Sequence, residues 1–171
     1  HRQCRRQRQM CIRDRNNRLQ FVFLTLEYLY IIDIKGNVVK KVKNKVSGIE
    51  KYLSVFDYDK NKNYRLVVQE GRTVSMYDSK LSFVKGYKAT RSKKTIANKM
   101  DHIRILNKDF LIQYYEDKTF TIYDRRGRER IKLPKGLKYQ STVFKHNNKL
   151  MFQGEDNEIV RIDISGEISY L

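Results

Sequence analysis

Apolar residues in this chain gather into short runs, many alternating with polar positions, and most runs close on turn-forming residues. Residues 109–116 (DFLIQYYE) and 118–124 (KTFTIYD) show the pattern. Both are rich in β-branched and aromatic side chains, and Asp117 with its neighbours separates them. That spacing predicts a tight antiparallel hairpin. Four such runs end in aspartate and then turn: YIIDIKG (30–36), SMYDSKL (75–81), TIYDRRG (121–127) and VRIDISG (160–166). Their aspartates, Asp33, Asp78, Asp124 and Asp163, lie 45, 46 and 39 residues apart. A carboxylate suits a strand end because it accepts backbone N–H groups as the chain reverses. Gly36, Gly127 and Gly166 follow their aspartates and tolerate the positive φ of a turn, whereas Leu81 stands there in the second copy.

A period of this size in a strand-rich chain predicts one supersecondary unit copied several times, and four-stranded propeller blades have about this length. The expected class is all-β: a partial β-propeller of about three and a half four-stranded antiparallel blades. Its boundaries read as a partial blade at 16–46 and blades at 47–90, 91–137 and 138–171. In the third copy HIRILN (102–107) opens the unit and RERIKLP (128–134) closes it. Pro134, the only proline, ends the last strand where no ladder N–H is needed. The second copy runs LSVFDY (53–58), YRLVVQE (64–70), TVSMYD (73–78) and LSFVKGY (81–87). The fourth runs STVFKH (141–146), KLMFQG (149–154), EIVRID (158–163) and EISYL (167–171). The first keeps RLQFVFL (18–24), EYLYIID (27–33) and NVVKKVK (37–43), and its opening strand is missing. Closed rings use 4–8 blades. The expectation is therefore an open fragment, with the remaining blades of a parent protein missing.

The missing strand directs attention to residues 1–15, HRQCRRQRQMCIRDR, which carry six arginines, one acid, both cysteines and almost no β pattern. Met10 to Asp14 back-translate as ATG TGT ATA AGA GAC, which resembles the transposase end sequence used in preparing sequencing libraries. The matching adapter upstream encodes RRQRQ, which stands at Arg5 to Gln9. Residues 5–15 thus resemble a translated sequencing adapter, and 1–15 is read as a disordered, non-native segment outside the fold. The competing reading is a basic arm that binds nucleic acid.

The net charge is +18, of which the six arginines and Asp14 of this segment contribute +5, leaving +13. Two runs stand out as anion-binding candidates: Lys40, Lys41, Lys43 and Lys45, and Arg125, Arg126, Arg128 and Arg130. They read either as an electrostatic footprint for nucleic acid or an anionic envelope polymer, or as the composition of an A/T-rich coding sequence with lysines guarding sheet edges. Outside residues 1–15 no cysteine remains, which excludes disulfide staples and thiolate metal sites there. The most apolar stretch, 19–34, is interrupted by Gln20, Glu27 and Asp33 and is too short to span a bilayer.

Chemistry-bearing motifs are sparse. DYDKNKN (57–63) sets Asp57, Asp59, Asn61 and Asn63 at every second position, as a calcium loop does. It resembles the D-x-D-x-N loops of integrin-type propeller repeats but has Lys62 where glycine is usual and Arg65 where an acid is expected. The other reading is a polar hairpin loop. No nucleophile elbow, phosphate loop or dinucleotide fingerprint occurs, so the chain is read as no enzyme. His102 and His146 read as structural residues at similar places in their repeats, and Tyr114, Tyr115 and Phe120 as packing.

The recurring hairpin resembles that of the quinoprotein-like β-propeller superfamily, L-Y-x-[VIL]-D-x-x-G. The chain has no tryptophan, so the cofactor of true quinoproteins is not carried over. The WD and GH dipeptides of WD40 repeats are absent too. SVFDYDKNKNYR (54–65), MYDSK (76–80), VKG (84–86) and HIRI (102–105) are similar to a segment of large uncharacterised bacterial envelope proteins with degenerate propeller repeats behind a membrane anchor. That resemblance implies an extracytoplasmic site, the cell envelope or periplasm. The functional expectation is a scaffold presenting loops to protein or envelope-polymer partners. A nucleic-acid-binding surface is the first alternative and a calcium-stabilised repeat the second.

Overall fold

A computed structural model describes residues 9–43 and 50–171. Residues 1–8, with the start of the adapter-like segment, and Lys45 lie outside the described residues. Every regular element described is a strand, and each sheet is an antiparallel meander of consecutive strands. The class is all-β, and the sheets have the blade topology of a partial β-propeller. Two compact units divide the chain, His1–Lys85 and Gly86–Leu171.

In the first unit, β1 (Gln9–Arg13), β2 (Leu19–Leu24), β3 (Tyr28–Asp33) and β4 (Val38–Lys43) form one sheet. β5 (Lys51–Phe56), β6 (Arg65–Glu70) and β7 (Thr73–Asp78) form a second. Side chains alternate across a strand. Val22 and Leu24 of β2 therefore face one side, opposite Ile31 and Leu29 of β3. That face packs against Leu53, Leu66, Val68 and Tyr77 of the second sheet.

Two expectations are corrected here. Residues 9–13 are a strand, so the first sheet has four members and its opening strand is present. Met10 and Ile12 fall on alternate positions and fit the apolar face, and Ile12 is buried in the core of this unit. The exposed edge of β2 offers a row of backbone groups for such a segment to pair with. The unit that lacks a strand is the second. Residues 81–87 form no strand: they contribute a single bridge, Tyr77 to Phe83, with Ser82 O accepting from Asp78 N–H and Val84 N–H donating to Met76 O, each at 2.9 Å. Gly86 follows at φ 94°, a conformation outside a strand.

In the second unit, β8 (Asp101–Ile105), β9 (Lys108–Tyr114), β10 (Phe120–Tyr123) and β11 (Glu129–Ile131) form one sheet. β12 (Phe144–His146), β13 (Lys149–Gln153), β14 (Ile159–Ile162) and β15 (Ile168–Tyr170) form the other. Phe110, Ile112, Tyr114, Phe120 and Ile122 meet Leu150, Phe152, Val160 and Ile162 in one core. Phe120 stands edge-on to Phe152 at 5.0 Å between ring centroids, a favoured aromatic geometry. Opening strands are neighbours within each unit, β1 with β5 and β8 with β12, as inner strands of successive blades are.

Residues 86–100 form no strand but strap the β9–β10 hairpin and the β10–β11 turn. Lys88 N–H donates to Arg126 O at 2.7 Å, Ala97 N–H to Tyr114 O at 3.1 Å, and Glu116 N–H to Thr95 O at 3.1 Å. Residues 86–90, read from sequence as the end of the second blade, thus belong to the second unit. The two histidines also differ in place. His102 near the start of β8 pairs with Leu111, whereas His146 at the end of β12 pairs with Lys149.

Candidate functional site

The aspartate turns are one geometry used four times. Asp33 Oδ1 accepts N–H from Lys35 and Asn37 at 2.8 and 2.9 Å. Asp78 accepts from Lys80 and Ser82, Asp124 from Arg126 and Arg128, and Asp163 from Ser165 and Glu167, all within 3.0 Å. In each the residue three on from the aspartate has positive φ: Gly36 86°, Leu81 60°, Gly127 73° and Gly166 99°. This is a tight turn followed by a left-handed bulge residue. The side-chain amide of Asn37 holds the Asp33 carboxyl below its usual range, and the Ser165 hydroxyl does so for Asp163. Burial pushes Asp124 upward, but the Arg128 amide and guanidinium outweigh it and hold it low.

The calcium-like loop directs its oxygens at its own backbone. Asp57 accepts N–H from Asn61 at 3.1 Å and from Lys62 at 2.9 Å, and Asn61 Oδ1 accepts N–H from Asn63 at 3.0 Å. Asp59 sits on the exposed side of the same loop. No cluster of three or more metal-ligating His, Cys, Asp or Glu occurs among the described residues.

Neither basic run forms a convergent site by itself. Lys40 donates to Ser79 O at 3.2 Å, Lys41 covers the Tyr28 ring at 4.0 Å, and Lys43 is exposed on the edge strand β4. Arg125 Nε bonds to buried Asp109, which also takes His102 Nε2 at 2.7 Å. Arg128 pairs with Asp124 at 2.7 Å. Arg126 is exposed at the turn. These arginines hold strands and turns together, because a buried carboxylate needs its cations.

A concave basic site lies elsewhere in the second unit. The strap and residues 133–137 wall a cleft of about 410 Å³ whose floor includes β10, a volume in the usual range for ligand sites. Arg91 and Lys93 stand on the strap wall and Lys135 on the other. All three are exposed and make no ion pair among the described residues. Lys94 is engaged: it pairs with Asp117 at 2.7 Å and donates to Thr119 Oγ1 at 2.7 Å. Burial raises the Asp117 carboxyl, but the bonds from Lys94 and Thr119 outweigh it and hold the group at about 2. On the floor Tyr115 Oη meets Thr121 Oγ1 and Tyr123 Oη, each at 3.2 Å. Burial and the neighbouring Tyr115 hydroxyl keep Tyr123 a neutral phenol by raising its pKa. Glu129 is the one acid among the cleft-lining residues.

Sequence reading missed this cleft. Its cations lie about forty residues apart, and a strap without alternation carries no strand signal. The available hint was the basic, hydroxyl-rich run KATRSKKT at 88–95.

No family model matches the chain, and no curated protein matches it. Among solved structures it is similar to the crystal structure of BBS1N in complex with ARL6DN, soaked with mercury. The TM-score is 0.48 at 12% identity, over 95% of this chain and 63% of that one. The chain therefore spans less than two thirds of that structure's length. No helix among the described residues is long and apolar enough to cross a membrane.

Proposed function

We propose that the chain is a non-catalytic β-repeat scaffold that binds an acidic macromolecular partner through the basic cleft of its second unit. The observation that carries this is the convergence of Arg91, Lys93 and Lys135 on one concavity. Other cations of the unit are held in ion pairs instead: Arg125 with Asp109, Arg128 with Asp124 and Lys138 with Glu155. Uncompensated cations around a cleft focus potential and draw in a polyanion. An extracytoplasmic setting, where anionic envelope polymers or acidic protein surfaces occur, agrees with this chemistry.

The test is salt-dependent retention on heparin. Three cation contacts give a log–log salt slope of about −2, so a fourfold rise in salt weakens binding by about twentyfold. Reversing charge at Arg91, Lys93 and Lys135 to glutamate is expected to move elution to much lower salt. Reversing Lys41 and Lys43, on the first sheet, is expected to move it little. Equal shifts from the two sets would refute the cleft as the site.

A further inference from the structure

This inference rests on the reading that the cleft takes an acidic partner, and it specifies which kind. We infer that the cleft recognises an anionic glycan, a chain of hydroxyl-bearing sugar units that carry sulfate, phosphate or carboxylate groups. The lining argues for this over the other polyanions.

A nucleic acid held without sequence readout stacks its bases on accessible aromatic faces. Two of the three rings at this floor do not offer them, Tyr115 being 4% exposed and Phe120 5%, so half-buried Tyr123 stands alone where a strand of bases needs successive platforms. Phe120 is spent on packing, edge-on to Phe152 and Tyr139. What the floor offers is hydroxyl oxygen. Tyr115, Thr121 and Tyr123 hydroxyls form one connected group. Thr121 and Tyr123 are only half-buried, so ligand can reach them. A hydroxyl both donates and accepts. A sugar hydroxyl can therefore exchange into this group without leaving any member unsatisfied, whereas a carboxylate supplies acceptors alone.

Glu129 completes the pattern. Its carboxylate lines a cleft otherwise edged by cations. It repels a bare polyanion but accepts hydrogen bonds from a sugar that carries its charge on another carbon. Cations on the rim and hydroxyls with one acid on the floor match a ligand that presents charge outward and hydroxyls inward.

The test compares four probes of similar length by fluorescence anisotropy: dextran sulfate, polyvinyl sulfate, poly-L-glutamate and oligo-dT. Dextran sulfate and polyvinyl sulfate carry the same anion, but only the first carries sugar. Dextran sulfate is expected to bind about tenfold or more tightly than each of the others, the discrimination that one or two hydrogen bonds provide. Thr121→Val and Tyr123→Phe, tested singly, are expected to narrow the gap between dextran sulfate and polyvinyl sulfate while leaving polyvinyl sulfate affinity unchanged. The probe comparison stands even where a variant fails to fold. Equal binding of both sulfated polymers would overturn the glycan inference and leave the acidic-partner reading in place. Tighter binding of oligo-dT would overturn the inference in favour of nucleic acid. Binding of no probe, or binding that survives charge reversal of the cleft, would overturn both.

Discussion

Replacing Gly127 by alanine should cost far more than the same change at Gly36, although the two occupy equivalent places in equivalent turns. Both have positive φ, 73° and 86°, which burdens an L-residue by roughly 1–2 kcal/mol. At Gly36 nothing lies within 4 Å of an added methyl, so that burden is the whole cost. At Gly127 the methyl would sit 2.5 Å from Ala89 N, 2.9 Å from the Tyr87 ring and 3.0 Å from Lys88 N. Two of those atoms are backbone, which no rotamer change relieves. The strap has to lift, which stretches the 2.7 Å bond from Lys88 N–H to Arg126 O and loosens the buried Tyr87 ring. A lost hydrogen bond of about 1 kcal/mol and overpacking of about 1–3 kcal/mol bring the total to roughly 3–6 kcal/mol. Gly166 is intermediate. Its methyl would meet Ile131 Cγ2 at 3.2 Å, a side chain that gives way. The assay is native-state hydrogen exchange read for each unit, since the units need not unfold together. An effect at Gly127 no larger than at Gly36 would refute the close approach of strap and turn. The strap carries Arg91 and Lys93, so this variant should also weaken polyanion binding.

Three further predictions concern stability. Leu106 is 60% exposed at φ 44° in the two-residue turn between β8 and β9. Leu106→Gly should stabilise the second unit by about 1 kcal/mol, seen as a higher urea midpoint, and a lower midpoint would contradict the turn assignment. The Tyr114 hydroxyl donates to Asp101 Oδ2 and accepts N–H from Val143, each at 2.9 Å. Tyr114→Phe strands both partners and should cost about 1–3 kcal/mol, and a neutral result in the same denaturation assay would remove the network. Asp33, Asp117, Asp124 and Asp163 have carboxyls held below their unfolded value. Their contribution is present above the unfolded carboxyl value of about 4 and is lost as pH falls through the lowered folded values, which for Asp117 is about 2. Thermal midpoints should therefore drop across that window, and less steeply in Lys94→Met. A midpoint flat from pH 6 to 2.5 would contradict the turn bonding.

Strands with their own turn chemistry were legible. The hairpin around Asp117 and the four aspartate turns follow from residues four or five apart. The N-terminal strand escaped notice because Met10 and Ile12 give only two apolar positions, and a neighbouring sheet edge decides whether so short a segment pairs. Its likeness to an adapter concerns the origin of the residues, which pairing does not address. The fourth strand of the second copy was overread. Residues 81–87 have a strand's composition, but Leu81 in the left-handed region and Gly86 beyond it leave room for one bridge. The run of arginines at 125–128 drew attention because they adjoin in sequence. Their pairing with Asp109 and Asp124 depends on register, which composition does not record. The cleft needed three dimensions altogether.

The aspartate turns carry one more implication. Every bond that closes such a corner lies within five residues of chain, so each forms without waiting for distant partners. Little loop entropy is lost in making them. Each hairpin can therefore start on its own, and its neighbours later cover the surface it exposes. A chain assembled in this way tolerates duplication and loss of whole copies, and decay within one copy, such as the shortened second sheet, stays local to that copy.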